Sequence, residues 1–86
     1  MFFAYILKST KDQRLYIGAT RDLRKRLKEH NSGGVRSTKS RIPFKLVYYE
    51  AYAAEEDAWH REHNLKLRAK TLQQLMRRIK KSIASS

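Results

Sequence analysis

The chain has 86 residues, and its Lys and Arg number 20 against 8 Asp and Glu, a net charge of +12. With 41% hydrophobic residues and no cysteine, the composition is that of one globular domain without disulfides or a cysteine metal site. The longest apolar run, FFAYIL at Phe2–Leu7, is far below the roughly 20 residues of a membrane span and lacks the basic lead of a signal peptide. A cytoplasmic protein, monomeric by default, is expected. Such an excess of positive charge repels itself and attracts polyanions, so nucleic acid is the expected partner, DNA ahead of RNA.

Phe2–Leu7 and Leu15–Gly18 read as strands joined by a polar turn. The first is apolar at every position, as a strand covered on both faces and central in its sheet would be. An even-length turn puts Tyr5 and Tyr16 on one face, as cross-strand or diagonal neighbours. Thr20 is placed to cap a helix that runs to about Asn31. NSGGVRSTKSRIP is a loop punctuated by Gly33, Gly34 and Pro43. A third strand, FKLVYYEAY, starts at Phe44, and a helix over Ala54–Leu67 opens on Glu55, Glu56 and Asp57, the charges a helix N-terminus favours. Thr71-Leu72-Gln73-Gln74 has capping-box spacing and opens the last helix, whose apolar face (Leu72, Leu75, Met76, Ile79, Ile83) should dock on the sheet. The order β-β-α-β-α-α gives an α+β fold, a three-stranded sheet flanked by helices.

Helical rotation sorts the first helix. Leu23 and Leu27 form its core stripe, while Arg21, Arg24, Lys25 and Lys28 gather on the opposite, phosphate-contacting side. Arg26 and His30, four apart, lie instead along the edge of the core stripe, where solubility does not require them. Among the acids, Glu29 is placed to pair with Lys25. Glu62 is the unusual one: it lies mid-helix on the face of Ala58, Trp59 and Leu65, which should turn inward. A buried acid needs a partner, and the choices are Lys66 one turn on or a divalent cation. His60 and His63 read as surface residues.

Tyr5, Tyr16-Ile17-Gly18, Arg26, His30 and Glu62, in that order, together with HNSGGVRSTKSRIPFKLVYYE, resemble the GIY-YIG nuclease superfamily and its small stand-alone bacterial branch. The resemblance spans Phe3 to about Leu67. It implies a three-stranded antiparallel sheet flanked by helices and DNA cleavage with one Mg²⁺ or Mn²⁺. It assigns catalytic roles to Tyr5, Tyr16, Arg26, His30 and Glu62, with Glu62 also the metal ligand. The first motif keeps only its tyrosine, and Ala19 stands after YIG where several such nucleases carry lysine. Arg26 would grip the phosphate, and Tyr16 or His30 would take the proton from the attacking water. Arg24, Lys28, Arg36, Lys39 and Arg41 are the expected backbone contacts. With no base-reading element visible, recognition should be structure-selective, weak in sequence preference and strong in salt dependence. The alternative is a non-catalytic nucleic-acid-binding module on the same fold. A peripheral membrane role for the last helix is disfavoured, since the sheet needs that helix's apolar face.

Overall fold

A computed structural model describes residues 1–85. Strands β1 (Phe2–Ser9), β2 (Leu15–Thr20) and β3 (Phe44–Tyr52) form one antiparallel sheet in the order β2-β1-β3. The uniformly apolar strand is therefore the central one, as its composition requires. Its alternate residues face two cores. On one face Tyr5 and Leu7 join Phe44, Tyr16 and the Leu23/Leu27 stripe of helix α1 (Leu23–Asn31). On the other, Ile6 packs with Ile17, Leu65 of α2 (Glu55–Leu67) and Leu75 of α3 (Ala69–Arg78).

Local chemistry departs from expectation in three places. Asp22, not Thr20, caps α1, accepting a bond from Lys25 N–H at 3.0 Å. Thr20 Oγ1 instead accepts from Asp22 N–H at 3.2 Å and holds the cap in place. The last helix starts at Ala69, before Thr71, and makes no side-chain cap, so the capping-box spacing is not used. It also breaks at Ile79 into a short α4 (Lys80–Ala84). Lys8 Nζ donates to Ile83 C=O at 2.9 Å, a lysine at a helix C-terminus, where its charge is favoured. The apolar face docks on the sheet as expected, through Leu72, Leu75 and Ile79.

Two arrangements carry the fold into the site. At the end of α1, Gly33 N–H bonds to His30 C=O and Gly34 N–H to Glu29 C=O, with Gly33 at φ +81°. This is a Schellman motif, and its left-handed residue is glycine because a Cβ is strained there. It turns the chain back so that the following loop covers the end of α1. Asn31 then bonds Phe44 through both its amide atoms, at 3.0 and 2.6 Å, tying the helix end to β3. On the opposite face, Glu50 of β3 accepts from the Tyr48 and Tyr52 hydroxyls and from Arg61 of α2, whose Nε lies at 3.0 Å and Nη2 at 3.0 Å. Burial opposes the Glu50 charge, but Arg61 and the two hydroxyls outweigh it and lower its pKa. Tyr52, partly buried and beside that carboxylate, is pushed up to about 12. The cluster fixes α2 against the sheet at the residue next to Glu62.

Candidate active site

Five residues from four elements meet along the β2 edge of the sheet. Tyr5 on β1 pairs with Gly18 on β2, and Tyr16 sits across from Leu7, so the two tyrosines are diagonal neighbours on one face. Their rings are 6.5 Å apart. Gly18 is where it is because the Tyr5 ring lies over it: a Cβ there would stand 2.4 Å from both Tyr5 Cζ and its hydroxyl.

The Tyr5 hydroxyl contacts His30 Nε2 at 3.0 Å, and His30 Nδ1 contacts Thr38 Oγ1 at 2.8 Å. All three residues are buried. Proton directions follow from the far end. Thr38 Oγ1 donates to Val35 C=O at 3.3 Å, so it accepts from His30 Nδ1–H. That leaves Nε2 bare, to accept from the Tyr5 O–H. The positive charge of Arg26 lies close enough to the Tyr5 oxygen to favour its charged form.

His30 thus lies inside the molecule and not along the edge of the helix stripe, with both ring nitrogens engaged. Burial lowers its pKa and the Arg26 charge lowers it further, against a smaller opposing effect of Glu29. Tyr5 is raised, first by burial, with Arg26 pulling the other way. Arg26 loses some charge stability to burial, yet Tyr5, Glu29 and Tyr16 more than offset this and raise its pKa. Glu29 pairs with Arg26 at 3.7 Å, not with Lys25.

The His30 shift has a consequence for stability. An unfolded histidine near pKa 6.5 binds a proton before the folded one does, so folding is favoured fully above that value and loses ground as pH falls below it. The loss is at most about 1.4 kcal/mol per pH unit. Urea denaturation across about pH 7 to 5 should show this slope in the wild type and a flatter one in His30→Gln. Equal slopes would mean that His30 titrates alike in both states.

Tyr16 differs from Tyr5. It is half-buried, its ring stands edge-on to His30 at 4.9 Å, and its hydroxyl makes no hydrogen bond among the described residues. Since no buried side-chain polar atom among them lacks a partner, that hydroxyl opens to solvent. Lys66 Nζ lies 5.8 Å from the Tyr16 ring centre and pairs with Glu62 Oε2 at 3.0 Å. The lysine that resolves the Glu62 problem therefore also reaches the second tyrosine. Glu62 remains partly exposed, at 23% of its side chain.

Two clefts flank this group and share Ala19. One, of about 670 Å³, is lined on the α1 side by Arg21, Lys25, Arg26 and Glu29. The other, of about 460 Å³, is lined by Trp59, His60, Glu62 and His63. Trp59, expected to turn inward with Glu62, is 58% exposed. The outer basic residues divide. Arg24, Lys28, Arg36 and Lys39 are exposed. Arg41 is not a free cation: it bonds Asp12 at 2.7 Å and Leu15 C=O at 3.3 Å and lies over Phe44 at 5.4 Å, holding the Asp12 carboxyl at about 2. Arg41 is thus built into the fold.

No group of three or more His, Cys, Asp or Glu forms a metal cluster among the described residues. A lone, partly exposed carboxylate still suits Mg²⁺, which takes one or two carboxylates and keeps waters and phosphate oxygens for the rest of its shell.

Tyr5, Tyr16-Ile17-Gly18, Arg26, His30 and Glu62 thus gather along one edge of the sheet, and residues 1–81 match the family described as the GIY-YIG catalytic domain. The chain belongs to the GIY-YIG family. This is a nuclease family, and relatives of the chain include small bacterial proteins. A UPF0213 protein of Clostridium perfringens is 46% identical over 67 residues, covering 77% of this chain and 71% of the relative. One of Bacillus pumilus is 43% identical over 65 residues, 74% of this chain and 65% of the relative. In the second case the match spans slightly under two thirds of the relative. The solution NMR structure of a UPF0213 protein from Bacillus halodurans superposes with a TM-score of 0.54 at 38% identity, covering 88% of this chain and 83% of that one. Thr38, which fixes the His30 tautomer, sits in a loop whose path only the Schellman turn reveals. No helix among the described residues is long and apolar enough to cross a membrane.

Proposed function

We propose that this GIY-YIG chain is a metal-dependent endonuclease that hydrolyses phosphodiester bonds of DNA, selecting structure more than sequence. The observation that carries this is the division of labour between the tyrosines. Tyr5 is buried and committed to His30, whereas the Tyr16 hydroxyl opens to water, and Lys66, which pairs with Glu62, lies against the Tyr16 ring. Tyr16 is accordingly the base that takes the proton from the attacking water. His30 has no free nitrogen for that role. It positions Tyr5, beside which Arg26 is held by its ion pair with Glu29 at 3.7 Å.

Arg26 orients the phosphate through its guanidinium fork and stabilises charge developing on the phosphate oxygens. Lys66 sits over the Tyr16 ring and adds a positive charge beside it. One divalent ion, Mg²⁺ or Mn²⁺, would be held by Glu62 and would supply Lewis-acid stabilisation of the phosphate and leaving oxygen. The exposed Arg24, Lys28, Arg36 and Lys39 supply sequence-independent backbone contact; Arg41 contributes through the fold.

Tyr16→Phe tests the assignment. Loss of a general base costs about 10²–10⁴ in rate, while the exposed position of the hydroxyl leaves folding and binding intact. Single-turnover cleavage should fall by that factor at unchanged affinity. An unimpaired rate would remove Tyr16 from the role.

A further inference from the structure

Trp59 is the one tryptophan of the chain, and it is 58% exposed although Ala58 beside it is buried. A single exposed apolar residue needs no explanation; its position does. It stands three residues before Glu62, one helical turn away on the same side, and lines with it the cleft of about 460 Å³. His60 and His63 line that cleft too, so flat rings surround the one carboxylate. Ala19 closes it and also borders the cleft of Arg21, Lys25 and Arg26. With Asp22 and Glu29 also in its lining, the α1 side of Ala19 keeps a net positive charge, and the α2 side is aromatic.

A nucleic-acid strand has the same two-part chemistry, an anionic backbone and planar bases. We infer that Trp59 is a stacking platform for an unpaired base beside the phosphate held between Arg26 and Glu62, which makes single-stranded or locally unpaired DNA the preferred substrate. This rests on the nuclease reading of the site. Within a duplex both faces of a base are covered by its neighbours, and exposing one costs a few kcal/mol of unstacking. A strand that is already unpaired avoids that cost. Indole stacking reads the π-face and not the base edge, so it is tolerant of sequence, consistent with the weak sequence preference expected of a cleft without base-reading side chains.

Because Trp59 is the only tryptophan, its fluorescence reports on this position alone. With chelator present to prevent cleavage, the protein is titrated with a short oligothymidylate and with a hairpin duplex of equal charge. Anisotropy of a dye on the DNA reports occupancy. The indole emission should be quenched in step with oligothymidylate binding and much less by the duplex at equal occupancy. Trp59→Ala should weaken oligothymidylate binding about tenfold to a hundredfold, as loss of one stacked base does, and leave duplex binding nearly unchanged. Trp59→Phe should lie between. Binding with unaltered indole emission, or an equal loss for both DNAs in Trp59→Ala, would overturn the stacking role and leave the nucleic-acid reading standing. No anisotropy change with either DNA would overturn that reading, and the stacking role with it.

Discussion

Gly18→Ala should destabilise the protein by about 3 kcal/mol, the upper part of the range for overpacked cores, and empty the site of its organised tyrosine. The sign is not the generic one. In a strand interior alanine is normally better than glycine by roughly 0.5–1 kcal/mol, so without the Tyr5 ring the substitution would stabilise. The new Cβ would lie 2.4 Å from Tyr5 Cζ and from its hydroxyl, whereas carbon atoms prefer about 3.5–4.0 Å. Tyr5 has nowhere to go. It is 2% exposed, its hydroxyl is held by His30 at 3.0 Å, and the Tyr16 and His30 rings flank it. The clash therefore outweighs the backbone gain. Urea denaturation measures the loss, and a double-mutant cycle locates it. In a Tyr5→Ala background the same glycine substitution should become neutral or mildly stabilising. An equal loss in both backgrounds would place the strain somewhere other than the Tyr5 ring.

Glu62→Ala should lower cleavage by about a thousandfold or more, since a bound ion contributes several kcal/mol of charge stabilisation to the reacting phosphate. DNA binding should persist or tighten, because the change removes a negative charge from a surface of net charge +12. Folding should survive. The Glu62–Lys66 pair is partly exposed on both sides, at 23% and 44%, and such pairs contribute about 0–1 kcal/mol. Cleavage rate, anisotropy and denaturation midpoint on the same preparation separate the possibilities. Cleavage at the wild-type rate would take Glu62 out of the mechanism. Parallel loss of cleavage, binding and stability would make it a structural residue.

The central place of the first strand and the shared face of the tyrosines were legible from local patterning. Phe2–Leu7 reads as central because nothing polar interrupts it, and hairpin parity puts Tyr5 and Tyr16 on one face, where the register makes them diagonal. Arg26 and Glu62 were legible as charges out of place on helix faces. The depth of His30 was not. Helical rotation places a residue on a stripe, but whether that stripe is covered depends on the loop after Gly33, and no periodicity governs that loop. Thr38 was hidden for the same reason. Trp59 misled in the other direction: helical phase put it with Ala58 and Leu65, yet those two are buried and its ring is 58% exposed. Glu50 reads only as the end of a strand, because its partners Tyr48, Tyr52 and Arg61 are gathered by strand alternation and helix docking together.

The most direct test of the account is cleavage of labelled single-stranded, duplex and forked DNA, and of RNA, by the wild-type protein with Mg²⁺ or Mn²⁺ against the same reactions in chelator. Cutting should require the metal, be strongest on DNA with unpaired nucleotides and weaken steeply with salt. Salt-sensitive binding to these molecules, with no cutting of any of them under either metal, would contradict it and leave a GIY-YIG fold that holds nucleic acid without hydrolysing it.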